Sequence, residues 1–230
     1  MMDAENTSTG VHLNAEETRV LGCLIEKQRT TPDTYPLTLN ALRSACNQKS
    51  NRDPVVDYEE RDIVRALDGL RDKKLTWMIT SSGGRVPKYE HSLDERLQLG
   101  APQMAILCVL MLRGPQTAGE IKTRADRLHP FVTVTETENT LSQMMTREAG
   151  ALVVRLPLQP GKREPRYAHL LAGEPEVEAP PPTAPRPEPA RVEVEQENAR
   201  FEALESELAE LREELDTLRN AFDAFRSQFE

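Results

Sequence analysis

One nine-residue pattern occurs twice in this 230-residue chain, and it restricts the fold more than any other feature. Arg85-Val86-Pro87-Lys88-Tyr89-Glu90-His91-Ser92-Leu93 and Arg163-Glu164-Pro165-Arg166-Tyr167-Ala168-His169-Leu170-Leu171 share Arg, Pro, a base, Tyr, His and Leu in one order, 78 positions apart. Agreement at six of nine positions, a Pro and a Tyr among them, marks an internal duplication, so the chain is read as two similar units.

What precedes each copy is alike too. Leu75-Thr76-Trp77-Met78-Ile79 lies before the first and Ala151-Leu152-Val153-Val154-Arg155-Leu156 before the second. Helical patterns lie further upstream, with Ile63, Ala66, Leu67 and Leu70 in one unit and Leu141, Met144 and Met145 in the other. Helices followed by strand, turn and strand are the order of a winged helix, a helix-turn-helix closed by a β-hairpin. The expectation is a mainly α chain with small β-hairpins, holding two tandem winged-helix domains at residues 13–100 and 101–172. A disordered N-terminus (1–12), a Pro-rich linker (173–191) and a coiled-coil helix (192–230) complete it.

Local signals place the helices. Asn14 with Glu17 forms a capping-box pattern ahead of Val20, Leu21, Leu24 and Ile25. Pro32 and Pro36 make Thr30–Leu37 a connector. A second helix is expected over Thr38–Asn47 and a third over Asp57–Lys73. The polar run Asn47–Pro54 between them reads as a loop. In the second unit Leu93–Gly100 is a bridge, Pro102 suits a first helical turn before Met104–Leu112, and Thr117 with Glu120 caps the next helix. A third helix is expected over Thr135–Glu148.

Charge is unevenly spread. The formal net charge is −9, but residues 173–230 hold 16 acids and 6 bases, leaving 22 acids and 23 bases in the remainder. The acidity belongs to the tail, and the folded part is near neutral. Cys23, Cys46 and Cys108 follow no disulfide or zinc spacing and sit in helical apolar patterns, where a buried small hydrophobe is expected. Reduced thiols suit the cytoplasm. No apolar run is long enough for a membrane span, and the polar start, Met1–Asn6, is unlike a signal peptide. No phosphate loop, nucleophile elbow, zinc-protease pair or dinucleotide fingerprint occurs, so no catalytic residue, metal or cofactor is expected.

Gly173–Arg191 carries seven prolines and reads as an extended spacer. Beyond it Phe201, Leu204, Leu208, Leu211, Leu215, Leu218, Phe222, Phe225 and Phe229 are spaced alternately by three and four. Such a seam over four heptads is the pattern of a coiled coil. With Phe201 at a, Arg200, Glu207 and Glu214 at g meet Glu205, Arg212 and Arg219 at the following e, all attractive in a parallel pair. Self-association through a parallel coiled coil is expected, the alternative being one amphipathic helix packed on its own domains.

Five stretches add a family resemblance: Leu13–Lys27, Thr31–Leu42, Ala45–Val55, Leu112–Glu120 and Gly161–Leu170. They resemble the YceH family of uncharacterised bacterial proteins over residues 13–173. The resemblance implies two winged-helix domains in a bacterial cytoplasmic protein and brings no activity.

Candidate contacts follow from chemistry. Lys49 and Arg52 suit phosphates, and Gln48 and Asn51 suit a base edge or backbone. Equally, Asn47, Asn51 and Asp53 can satisfy a local turn. Arg61 and Arg65 on the first third helix, and Asn139, Gln143 and Arg147 on the second, are further candidates. Both helices open with acids, which complement the helix dipole and oppose a phosphate. The hairpins offer Arg85 and Lys88, then Lys162, Arg163 and Arg166, to a backbone or to solvent. Tyr89, Tyr167, His91 and His169 are expected to be structural. The partners expected are double-stranded DNA, for a non-enzymatic regulator, or alternatively another protein, for an interaction adaptor.

Overall fold

The computed structural model describes residues 10–80 and 86–175. The Pro-rich spacer, the heptad seam from Phe201 to Phe229, and Arg85 lie outside the described residues.

Helix α1 (Ala15–Thr30) starts where its cap dictates. Asn14 accepts from the Glu17 N–H at 2.8 Å, and Glu17 Oε2 accepts from the Asn14 N–H at 2.9 Å. Every residue from Glu17 to Ile25 is buried, so this helix is the central post of the fold rather than a surface helix. It packs on α2 (Leu39–Cys46) and α3 (Glu60–Asp72), and also on α5 (Ala101–Arg113).

The strands follow in the first half. β1 (Leu37–Thr38), β2 (Thr76–Ile79) and β3 (Lys88–His91) form an antiparallel sheet in the order β1-β3-β2. The connector Thr30–Leu37 thus ends in a short strand that its prolines had hidden. The bridge to the second half contains a helix, α4 (Leu93–Leu97), closed by Gln98 at φ 53°.

The second half repeats the plan with α5, α6 (Ala118–Ala125), α7 (Val134–Met145), β4 (Val153–Arg155) and β5 (Tyr167–His169). Its register matches that of the first. Thr76 faces His91, and Val153 faces His169. Met78 faces Tyr89, and Arg155 faces Tyr167. Leu37, just before the cap Thr38 of α2, pairs with Tyr89; Gln116, just before the cap Thr117 of α6, pairs with Tyr167. The two tyrosines therefore occupy the same place in two copies of one plan. Among the described residues the chain is mixed α/β, with seven α-helices and two small antiparallel sheets.

The halves share one apolar core. Gly22 of α1 lies so close to α5 that a Cβ there would sit 2.9 Å from Leu112 Cδ2. Cys108 Sγ donates to the Gly22 carbonyl at 3.5 Å. Leu13 N–H bonds the Leu171 carbonyl at 2.7 Å, and Asp53 N–H bonds that of Leu112 at 2.9 Å. All three cysteines are buried. No helix among the described residues is long and apolar enough to cross a membrane.

Candidate nucleic-acid or partner interface

The α2–α3 loop is built around a buried cation. Arg52, 6% exposed, sends Nη1 and Nη2 to the two oxygens of Glu26 at 3.1 and 2.6 Å. It also donates to the Ala45 carbonyl through Nε and Nη2, to the Asn51 carbonyl, and to Gln48 Oε1. Burial is the largest influence and opposes the charge, but the paired bonds to Glu26 and the negative charge nearby together outweigh it and hold the guanidinium above its ordinary pKa. Arg52 is thus spent inside the fold and Gln48 is spent on Arg52. Asn51, at φ 60°, accepts from Arg113 Nη2. Of the four loop candidates, Lys49 alone is exposed with no hydrogen bond or ion pair among the described residues.

Asn47 completes the loop. Its Nδ2 donates to the Tyr58 carbonyl and its Oδ1 accepts from the Tyr58 N–H, each at 2.9 Å. That clamp keeps the chain extended to Glu59 and delays the start of α3 to Glu60. Of the three residues in the turn alternative, Asn47 bonds a backbone amide, that of Tyr58 rather than one in its own turn, and Asn51 accepts from the Arg113 guanidinium instead.

Helix α3 presents a charged face. Arg61 is exposed and sits 3.0 Å from Glu59, with Asp62 at 3.8 Å. Arg65 is exposed and makes no ion pair among the described residues. On the adjoining hairpin Lys88 is half-buried. Val64, Leu67, Met78 and Tyr89 line a shallow pocket between helix and hairpin, with Asp68 and Arg71 at its rim. Val64, Met78 and Val86 are 39, 51 and 58% exposed.

Helix α7 is different. Thr135, Glu138, Asn139, Ser142, Gln143 and Thr146 are all exposed. Their spacing of three and four puts them on one side of the helix. One carboxylate stands among five uncharged hydrogen-bonding side chains. Glu136 is not on that face, because its carboxylate accepts from the Val132 N–H at 2.8 Å. Arg147, at the helix end, donates to the carbonyls of Leu97 and Ala149, and so ties the end of α7 to α4. On the adjoining hairpin Arg155, Lys162 and Arg163 are exposed and Arg166 is half-buried, with no ion pair among the described residues.

Several structural participants carried no local signal. Glu26 continues the apolar run of α1, and only the fold reveals its partner 26 residues on. Arg19 donates to the carbonyls of Cys46 and Pro54. Glu17, beyond its cap role, meets Lys73 Nζ of the α3 end. A sequence signal for these three does exist: charged residues at inward positions of a helix buried all round must find partners.

The chain is similar to known proteins over most of its length. A family model described as "Protein of unknown function, DUF480" matches residues 13–162, inside the segment that carries the resemblance. A UPF0502 protein of Geotalea uraniireducens is 55% identical over 220 residues, 96% of this chain and 99% of the relative. One from Geobacter sulfurreducens is 56% identical over 218 residues, 95% and 98% of the two chains. A third, from Opitutus terrae, is 49% identical over 176 residues, 74% and 76%.

Proposed function

This chain belongs to the DUF480 family of proteins of unknown function, and from the geometry of its surfaces we propose that it is a non-enzymatic, DNA-associated regulator whose halves are tandem winged helices. The observation that carries the reading is the exposed side of α7. In a helix-turn-helix the last helix enters the major groove. Asn139 and Gln143 suit the paired donor and acceptor of adenine, Thr135, Ser142 and Thr146 suit either partner, and Glu138 suits the cytosine amine. Arg155, Lys162, Arg163 and Arg166 on the adjoining hairpin suit phosphates. Helix α3 opens with Glu59 and Glu60, whose carboxylates oppose phosphates, and its Arg61 is ion-paired, which leaves Arg65 as its unpaired guanidinium among the described residues. Base reading therefore falls to the second half. The heptad sequence at 201–229 would pair chains and double the number of weak contacts, raising avidity.

Mobility-shift assays with genomic duplexes at low and moderate salt test this. Binding is expected, weakening steeply with salt. Lys162→Ala with Arg163→Ala should lower the salt slope by roughly 2, since each base removed leaves one phosphate with its counterions. Absence of any shift at low salt removes the reading.

One observation favours an adaptor instead. The apolar pocket of Val64, Met78 and Tyr89, rimmed by charge, has the anatomy of a protein contact. A partner that co-purifies after nuclease treatment and is lost with Val64→Asp would support it.

A further inference from the structure

A cleft of about 310 Å³ opens where the two halves meet. Val109 and Leu112 of α5 give it an apolar floor. Asn51 of the α2–α3 loop, Arg113, Arg124 and Arg127 stand around it. That volume suits a small molecule, and the wall sets four apolar residues, Cys108, Val109, Leu112 and Leu128, among polar and charged ones.

The charges around the cleft do not cancel. Glu26 is on the wall, but its carboxylate is already taken by Arg52, with Lys27 at 3.7 Å. Asp126 is the other carboxylate lining the cleft. Against it stand three guanidiniums. The Arg113 hydrogen bond to Asn51 joins it to a neutral amide. Arg124 reaches Glu120 only at 3.6 Å, and Arg127 has no ion pair among the described residues. Burial, and after it the nearby Arg124 and Arg52 charges, lower the pKa of Arg113 from its ordinary value. Three guanidiniums thus line the cleft against two carboxylates, one of them taken by Arg52, and of the three only Arg124 has an ion pair among the described residues, to Glu120.

We propose that this cleft binds a small organic oxyanion, its carboxylate or phosphate head on Arg113 and Arg124 and its apolar body on Val109 and Leu112. Guanidiniums suit either head, since both offer paired oxygens. A molecule seated there touches α1 and the α2–α3 loop of one half and α5 and α6 of the other. That is the place for an effector of a two-part regulator. The proposal rests on the cleft alone and stands whether or not the protein binds DNA.

Calorimetric titration of the full chain tests it, with 2-naphthoate and 2-naphthyl phosphate as probes and neutral 2-naphthamide as control. At least one anion should bind one-to-one, and the amide should bind at least about tenfold more weakly. The two anions together tell which head is preferred. Asn51→Asp keeps the bond to Arg113 but places a carboxylate against it, and Asp tolerates the left-handed backbone of this position. That variant and Arg124→Gln should each weaken the anion about tenfold with little change in melting temperature, while Lys49→Ala leaves it unchanged. The proposal is overturned if neither anion shows saturable binding. It is also overturned if the amide binds equally, if both cleft variants bind as the parent does, or if Lys49→Ala weakens binding as much as they do.

Discussion

At the scale of single residues, burial decides what a side chain is for. Arg52 has the chemistry of a phosphate contact, but it lies under the loop with its donors taken by Glu26, Gln48 and two carbonyls. Replacing it with Ala would strand the Glu26 carboxylate, and breaking a buried pair from one side costs about 3–5 kcal/mol. Urea unfolding of Arg52→Ala should show that loss, and Arg52→Met with Glu26→Leu should recover most of it. Lys at position 52 should fail as well, because it cannot supply the two-pronged geometry. No local pattern in the sequence could reveal this role. A loop without apolar residues reads as solvated, and the partner lies on another helix. The repeated histidines were legible, because their recurrence on strands pointed inward. Burial lowers both His91 and His169 to about 4, from near 6.5 in an unfolded chain. Nδ1 of each is sealed without a hydrogen bond; that of His91 lies 3.6 Å from Asp94. Between these values the unfolded chain binds protons that the folded one does not. Stability should be full above pH 6.5, fall as pH drops toward 4, and level off below. Each ring accounts for on the order of 3 kcal/mol across that window. Urea midpoints at pH 7.5, 5.5 and 4.5 should follow that course, and the double change to Gln should flatten it.

At the scale of elements, caps and prolines were readable and close packing was not. Asn14 with Glu17 and Thr117 with Glu120 start α1 and α6 where the capping boxes put them. The pattern of apolar residues would let α3 begin at Asp57, but it begins at Glu60, since the Asn47 clamp on Tyr58 opposes helix there. The same kind of pattern carries α7 to Glu148, but the helix ends at Met145, where Arg147 turns to the α4 carbonyl. α4 and β1 are short, and their stability comes from the neighbours they join rather than from any pattern of their own. Two glycines mark the tight approaches. A Cβ on Gly69 of α3 would meet Glu17 Oε1 at 2.2 Å and push that carboxylate off the Asn14 N–H and off Lys73. On propensity alone Gly69→Ala would stabilise a helix interior by about 1 kcal/mol. Here it should destabilise instead. Gly22→Ala should cost about 1–3 kcal/mol by forcing α1 away from Leu112. Thermal melts of the two variants check both signs.

At the scale of the whole molecule, one plan is used twice and its two outer faces have diverged. The duplication was legible from nine residues, and the matched registers of Tyr89 and Tyr167 carry it through to the hairpins. The shared core of the halves was not legible, because a repeat says nothing about how its copies pack. Nor was the contrast between α3 and α7, which depends on which side of each helix the core leaves free. α3 offers ion pairs and an apolar pocket, and α7 offers uncharged hydrogen-bonding side chains beside a basic hairpin. The proposed division assigns base reading to α7. Selection from a randomised duplex pool by the full chain puts that division to the test. An enriched sequence should emerge, be retained with Arg61→Ala and Arg65→Ala, and be lost with Asn139→Ala and Gln143→Ala. A pool that stays random with the parent protein, or an enriched sequence unchanged by the α7 substitutions, would refute it.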